Sequence, residues 1–234
     1  GIRGLSPWRD QISLLGLAES KKRIDGEGLT VTGPDGGKIE PQNASTGRLR
    51  STFDVLMSKP GTYKFAVIND GVFAQYKKDG EQKRWRGRPE DIAKEIPKDA
   101  QELKITQSQR RMETYATLGS PSDGALKSSG KGLEMEPLSH PNDLVANSEA
   151  KFRLLLDGKP AADVEVSVVR GGIRYRDDLA DTTATTGADG SFSVKWPEPG
   201  VYWLEATMTD DKTSVSGATQ RRAGYAVTLE VLPE

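Results

Sequence analysis

The chain has 234 residues, with 33 basic side chains against 34 acidic ones, 35% apolar residues, no cysteine and a single histidine. That length holds one large or two ordinary domains, and the balanced charge argues against a disordered polyelectrolyte and against a surface broadly adapted to nucleic acid. Without cysteine there is no zinc ribbon, iron–sulfur cluster, redox pair or disulfide framework, and a catalytic Ser–His pair would have to use His140.

Residues 1–27 stand apart as an atypical N-terminal segment, in which Pro7 to Ala18 has helical spacing with Ser6 as cap. Arg9 and Asp10 interrupt it as a signal sequence, and no run approaches the ~18 apolar residues of a spanning helix, so no membrane span is expected. From Leu29 the pattern changes to short alternating runs punctuated by turn formers. Leu29-Thr-Val-Thr32 precedes Pro34-Asp-Gly-Gly37, and Tyr63-Lys-Phe-Ala-Val67 precedes a turn expected at Asn69-Asp-Gly71. Residues 77–88 then hold six basic groups against two acids, interleaved with Trp85. One reading is a recognition surface, with Tyr76, Arg84, Trp85 and Arg86 stacking on and pairing with an anionic ligand or partner. The other is a plain hairpin in which Tyr76 and Trp85 pair across Asp79-Gly80 while Lys and Arg protect an edge strand. Pro89-Glu-Asp-Ile-Ala-Lys-Glu-Ile96 should form about two helical turns, stopped by Pro97.

Gly119-Ser-Pro-Ser-Asp-Gly124 through Ser128-Ser-Gly-Lys-Gly132 is the richest stretch of turn formers, which suggests a domain boundary. The expected division is a first β-sandwich over 28–122, a linker over 123–132 and a second β-sandwich over 133–234. An internal repeat supports it. Phe53, Val55, Pro60-Gly61, Tyr63 and Phe65 recur as Phe192, Val194, Pro199-Gly200, Tyr202 and Leu204, all displaced by 139 positions. A second echo, Gln109-Arg-Arg111 before Tyr115 and Gln220-Arg-Arg222 before Tyr225, looks like the opening of a closing strand in each half.

His140, in Ser139-His-Pro-Asn-Asp143, has two readings. As a nickel or cobalt ligand it would act with Asp143; as a turn residue it would sit where Pro141 fixes φ and Asn142 or Asp143 bonds the backbone. A Ser139–His140–Asp143 triad fails, because sequence neighbours rarely reach that geometry. Calcium loops and phosphate loops are missing from the sequence pattern.

The run Gly158-Lys-Pro-Ala-Ala-Asp-Val164, Thr186-Gly-Ala-Asp-Gly-Ser-Phe192 and Trp196-Pro-Glu-Pro-Gly-Val-Tyr202 resembles the carboxypeptidase-regulatory or transthyretin-like β-sandwich. The fold class expected is therefore all-β, two tandem immunoglobulin- or transthyretin-like sandwiches with one short helix in the first. A wider set of pieces is similar to one periplasmic bacterial family. They are Leu29-Thr-Val-Thr-Gly-Pro-Asp-Gly36, Pro41-Gln-Asn43, Val67-Ile-Asn-Asp-Gly71, Lys83-Arg-Trp-Arg-Gly87, Gly132-Leu-Glu134, Ser139-His-Pro-Asn-Asp-Leu144 and Thr228-Leu-Glu-Val-Leu-Pro233. That family, formally of unknown function, is often labelled NikM-like, or the periplasmic component of a nickel/cobalt transport system. The resemblance implies a non-catalytic periplasmic accessory protein linked to nickel or cobalt uptake, with a metal transporter as partner and His140 and Asp143 as the ligands to test. It departs at Gly1 to Glu27, which carries no His where the family has a His-bearing strand. The alternative is a structural envelope protein presenting the Tyr76–Trp85 hairpin to an outer-membrane receptor or a polymer.

Overall fold

A computed structural model describes residues 28–47, 51–172 and 181–234. The helical reading of Pro7 to Ala18 lies outside the described residues. The strands, in chain order, are β1 (Leu29–Thr32), β2 (Lys38–Ile39), β3 (Gln42–Thr46), β4 (Ser51–Asp54), β5 (Gly61–Lys78), β6 (Glu81–Gly87), β7 (Gln101–Leu118) and β8 (Leu133–Pro137). They continue with β9 (Leu144–Val145), β10 (Glu149–Leu156), β11 (Lys159–Pro160), β12 (Glu165–Arg170), β13 (Thr182–Thr185), β14 (Ser191–Lys195), β15 (Gly200–Asp210) and β16 (Gln220–Leu232). Between β6 and β7 a 3-10 turn at Pro89–Asp91 runs into a short helix, α1 (Ile92–Glu95), where proline at the start and acids in the first turn led the sequence to place it.

The chain is an all-β sandwich. Its main layer is a ten-stranded sheet in the order β13-β12-β15-β16-β7-β5-β1-β2, with β6 pairing β5 and β9 pairing β16. The two halves of the sequence meet within this sheet, where β16 lies parallel to β7 with Gln220 opposite Thr106 and Thr228 opposite Thr114. A four-stranded sheet of β11, β10, β14 and β8 forms the second layer beside the C-terminal strands. Phe152, Leu154, Leu133, Met135, Phe192 and Val194 of that layer interlock with Val166, Val168, Tyr202, Leu204 and Val227 of the large sheet. Trp196 is fully buried at the centre, edge-on to Tyr202 with ring centroids 5.0 Å apart. Burying a large apolar side chain contributes roughly 1.5–3 kcal/mol, so this interface is a principal source of stability for the C-terminal half.

The displaced repeat is visible as geometry. Each Pro-Gly pair turns the chain with glycine at positive φ, 128° at Gly61 and 140° at Gly200, where a side chain would be strained. Four residues after the start of each turn a buried tyrosine locks it: the Tyr63 hydroxyl donates to Lys59 O at 2.8 Å, and the Tyr202 hydroxyl donates to Glu198 O at 2.8 Å. This is the tyrosine-corner device of sandwich folds. Lys59 N–H also donates to the Tyr63 oxygen at 3.0 Å. Tyr63→Phe is therefore expected to lower stability by about 0.5–1.5 kcal/mol, seen as a lower urea midpoint at unchanged slope.

One expected turn is not there. Asn69-Asp-Gly71 lies inside β5, an eighteen-residue strand that pairs with the equally long β7 in continuous register from Gly61 opposite Leu118 to Gln75 opposite Lys104. Turn-forming residues are overridden because Asp70 and Gly71 each have a full ladder partner, Gln109 and Ser108. Gln109-Arg-Arg111 likewise sits in the middle of β7 rather than opening a strand, whereas Gln220 does open β16. Alternation along β5 directs Thr62, Lys64, Ala66, Ile68 and Asp70 to one face, here called inner, and Tyr63, Phe65 and Val67 to the outer one. On the outer face Phe53 of β4 meets Phe65, with ring centroids 6.5 Å apart.

Candidate functional site

The second layer covers the inner face over the C-terminal strands, and at the far end of β5 a small cluster of Val72, Ala74, Tyr76, Ile96 and Ile105 covers it again. Between them the inner face is roofed by residues 124–133, and a cleft of about 580 Å³ remains. Its floor is Lys64, Ala66, Ile68 and Asp70 of β5, flanked by Thr30 and Thr32 of β1 and by Gln109 and Arg111 of β7. The volume suits a small organic ligand.

Two charged groups on this floor have no ion-pair partner among the described residues. Lys64 is 8% exposed, and the hydrogen bond it makes runs from Nζ to Lys127 O at 3.0 Å, which leaves two ammonium donors to satisfy. An amine that lines the cleft and spends one donor on a neutral carbonyl is well placed for an anion. Asp70 lies at the open end. Partial burial of its carboxyl raises its pKa above the ordinary 3.8, and the nearby charge of Arg111 offsets part of that rise.

The wall beside them is held by a fully engaged polar network. Arg111 donates to Glu113 Oε1 at 3.2 Å and to Ser129 Oγ at 2.9 Å, and its guanidinium lies 3.4 Å from Glu134. Glu113 Oε2 accepts from the hydroxyls of Tyr115 at 3.0 Å and Tyr225 at 2.9 Å, so the two tyrosines of the sequence echo converge on one carboxylate. Burial, and then the Glu113 charge, push both phenols well above their ordinary pKa of 10, which keeps them neutral donors. Glu134 in turn fixes the roof by accepting from Ser128 Oγ at 2.6 Å, Ser129 N at 3.0 Å and Gly130 N at 2.8 Å.

Burial alone would raise the Glu134 pKa, but the hydrogen bonds from Ser128 and Ser129 together with the Arg111 charge outweigh it and hold the group below its ordinary 4.5. Its contribution to stability is therefore complete above pH 4.5 and disappears as the pH falls through the lower folded-state value. Glu134→Gln should flatten the loss of stability below pH 4.5, which urea titrations at a series of pH values would detect. An unchanged acid slope would contradict this assignment.

His140 is embedded in a different circuit. Asn142 N–H donates to Nδ1 at 3.2 Å, so Nε2 carries the hydrogen and donates to Thr62 Oγ1 at 3.0 Å. Thr62 passes the chain on to Thr117 Oγ1 at 2.9 Å, and Thr117 donates to Asn142 Oδ1 at 3.0 Å. Both imidazole nitrogens are thus engaged in tying the end of the β5–β7 pair to the 139–143 turn. Asp143 is exposed, and its backbone N–H donates to His140 O at 3.1 Å. Among the described residues no group of three or more His, Asp or Glu side chains is placed to hold a metal ion.

The basic hairpin forms around Asp79-Gly80, with Asp79 and Gly80 both at positive φ. Its register sets Tyr76 opposite Lys83 and Trp85 opposite Ala74, so the expected direct pairing of Tyr76 with Trp85 gives way to a diagonal one. Tyr76 is buried in the small inner cluster, and Trp85 packs against it while its indole N–H donates to Glu95 Oε2 of α1 at 2.8 Å. Arg84 and Arg86 alternate onto the outer face, opposite Gln75 and Phe73. The strand period therefore separates the four residues into two pairs on opposite faces.

Lys64, Asp70 and Arg111 were missed by sequence reasoning. In Tyr63-Lys-Phe-Ala-Val67 the apolar residues mark one face, and a lysine between them reads as solvated. Residues 15–210 match the model of a domain family of unknown function, DUF4198. A search of curated proteins finds no match to the chain.

Proposed function

The chain belongs to this DUF4198 family of unknown function, and from that premise we propose that it acts by binding, without turnover, and that the inner cleft seats a small soluble ligand carrying a carboxylate. The observation supporting this is Lys64, a buried ammonium lining the cleft with one neutral hydrogen-bond partner. On this reading the protein is a periplasmic accessory component, as its resemblance to NikM-like proteins implies, and its cargo is bound through the carboxylate. Direct capture of nickel or cobalt by His140 and Asp143 is the competing form of the same role, and it would have to break the Thr62–His140–Asn142 circuit. Presentation of the Tyr76–Trp85 hairpin to an outer-membrane receptor or a polymer is less supported, since both aromatic side chains pack inward.

The test is calorimetric titration of the full chain with N-acetyl-tetra-alanine, which offers a carboxylate and no amine. Saturable one-to-one binding in the native protein that Lys64→Met weakens by about 10-fold or more is the expected result. Absence of binding, together with saturable nickel binding that His140→Ala removes, would overturn the proposal in favour of metal capture.

A further inference from the structure

The cleft is polarised along β5. Its basic end holds Lys64, with the Lys127 carbonyl bonded to it. Six residues along the same face, roughly 20 Å at the strand rise of about 3.3 Å per residue, Asp70 stands at the other end. Asp157 also lines the cleft, its Oδ2 held by Arg221 at 2.7 Å and its Oδ1 accepting from Gly132 N at 2.9 Å, so its charge is already matched. Asp70 has no hydrogen bond or ion pair to any described residue, and the one cation whose charge reaches it, Arg111, is itself paired to Glu113 and Glu134, so Asp70 is the acid of the cleft left for a ligand cation.

Between the two ends the lining changes character. Ala66 and Ile68 make an apolar floor, while the Thr30 and Thr32 hydroxyls offer donors and acceptors and the Gln109 side-chain NH2 offers donors at the sides, Gln109 Oε1 already accepting from Arg221 at 3.5 Å. A ligand that is only a hydrocarbon chain would leave those groups without partners, and a compact anion would leave the Asp70 end unused. An extended backbone of amide units satisfies all three features. A peptide of n residues spans about 3.3–3.6 Å per residue, so about four residues, with a hydrogen-bond length at each end, bridge the distance.

We infer that the cleft binds a short peptide of about four residues with both termini free, its C-terminal carboxylate on Lys64 and its N-terminal ammonium on Asp70. This rests on the binding role proposed above and adds a second point of recognition to it. The geometry also sets the direction of the peptide, with its N-terminus at the open mouth and its C-terminus at the buried amine.

The experiment compares tetra-alanine, N-acetyl-tetra-alanine and tetra-alanine amide by calorimetry on the native chain, on Lys64→Met and on Asp70→Asn. Tetra-alanine is expected to bind at least about 10-fold more tightly than the acetylated form, a difference of ~1.4 kcal/mol, and Asp70→Asn should erase that difference while leaving the affinity for the acetylated form unchanged. Equal affinity for the free and acetylated peptides in the native protein would overturn the peptide assignment and leave the carboxylate-binding role standing. Binding by neither would overturn both. Because Asp70 is exposed, Asp70→Asn keeps the fold, and an unchanged thermal midpoint will verify that.

Discussion

Glu113→Ala is expected to lower the stability of the protein by about 3–5 kcal/mol, the range for removing one partner from a buried charged pair. Glu113 is 5% exposed and holds three donors at once, the Arg111 guanidinium and the hydroxyls of Tyr115 and Tyr225. With alanine in its place, Arg111 keeps Glu134 as its counter-charge, but two buried phenols lose their acceptor, and neither can relieve the loss by ionising. The carboxylate also joins β7 to β16, because Tyr115 comes from one strand and Tyr225 from the other. Loss of this joint should therefore lower the cooperativity between the two halves as well as the midpoint. Glu113→Gln keeps an acceptor for the tyrosines and should cost less than alanine. Urea denaturation measures both variants, and a loss under about 1 kcal/mol for Glu113→Ala would show that the network is dispensable.

The second large effect is on binding. Lys64→Met is expected to weaken a carboxylate ligand by about 10- to 100-fold, since a hydrogen bond to a charged group contributes about 1.5–3 kcal/mol and a tenfold change corresponds to ~1.4 kcal/mol. Methionine retains much of the aliphatic stem and removes a charged group from a residue that is 8% exposed. Stability should consequently stay level or rise. That opposite movement of affinity and stability is the mark of a residue kept for its ligand. If Lys64 served only to pin the roof through Lys127 O, the same substitution would lower the urea midpoint and leave affinity alone.

Much of the fold is legible in the sequence where a local rule and the tertiary structure agree. Pro60-Gly61 and Pro199-Gly200, each followed two residues later by tyrosine, give the two corners; Asp79-Gly80 gives the hairpin; Pro89 gives the short helix. The failures have a common physical cause, which is pairing with a segment distant in sequence. Asn69-Asp-Gly71 reads as a turn until β7, some forty residues on, provides a ladder partner for every position. The joining of β7 to β16 depends on a parallel register more than a hundred residues apart, which no local pattern announces.

The candidate site was less legible for a related reason. Gln107, Gln109, Arg111 and Glu113 alternate with Thr106, Ser108 and Arg110, so β7 shows no period-two contrast between an apolar and a polar face. Its buried polar stripe becomes visible only when Tyr225 and residues 128–134 close over it. The one sequence clue was the paired Gln-Arg-Arg and tyrosine echo, whose two tyrosines do meet at Glu113. His140 drew attention as the lone imidazole, and its nitrogens are used in holding a turn, through Thr62 Oγ1 and Asn142 N–H, partners that the local sequence does not name.

The claim that this protein works by seating a carboxylate ligand on Lys64 is tested most directly by titrating N-acetyl-tetra-alanine into the native chain and into Lys64→Met, with urea midpoints measured on both. Saturable binding to the native protein is expected, with a loss of about 10-fold or more in the variant and an equal or higher midpoint for the variant. Equal affinity in the two proteins with a lower midpoint for Lys64→Met would contradict it and leave Lys64 as a clamp on the cleft roof.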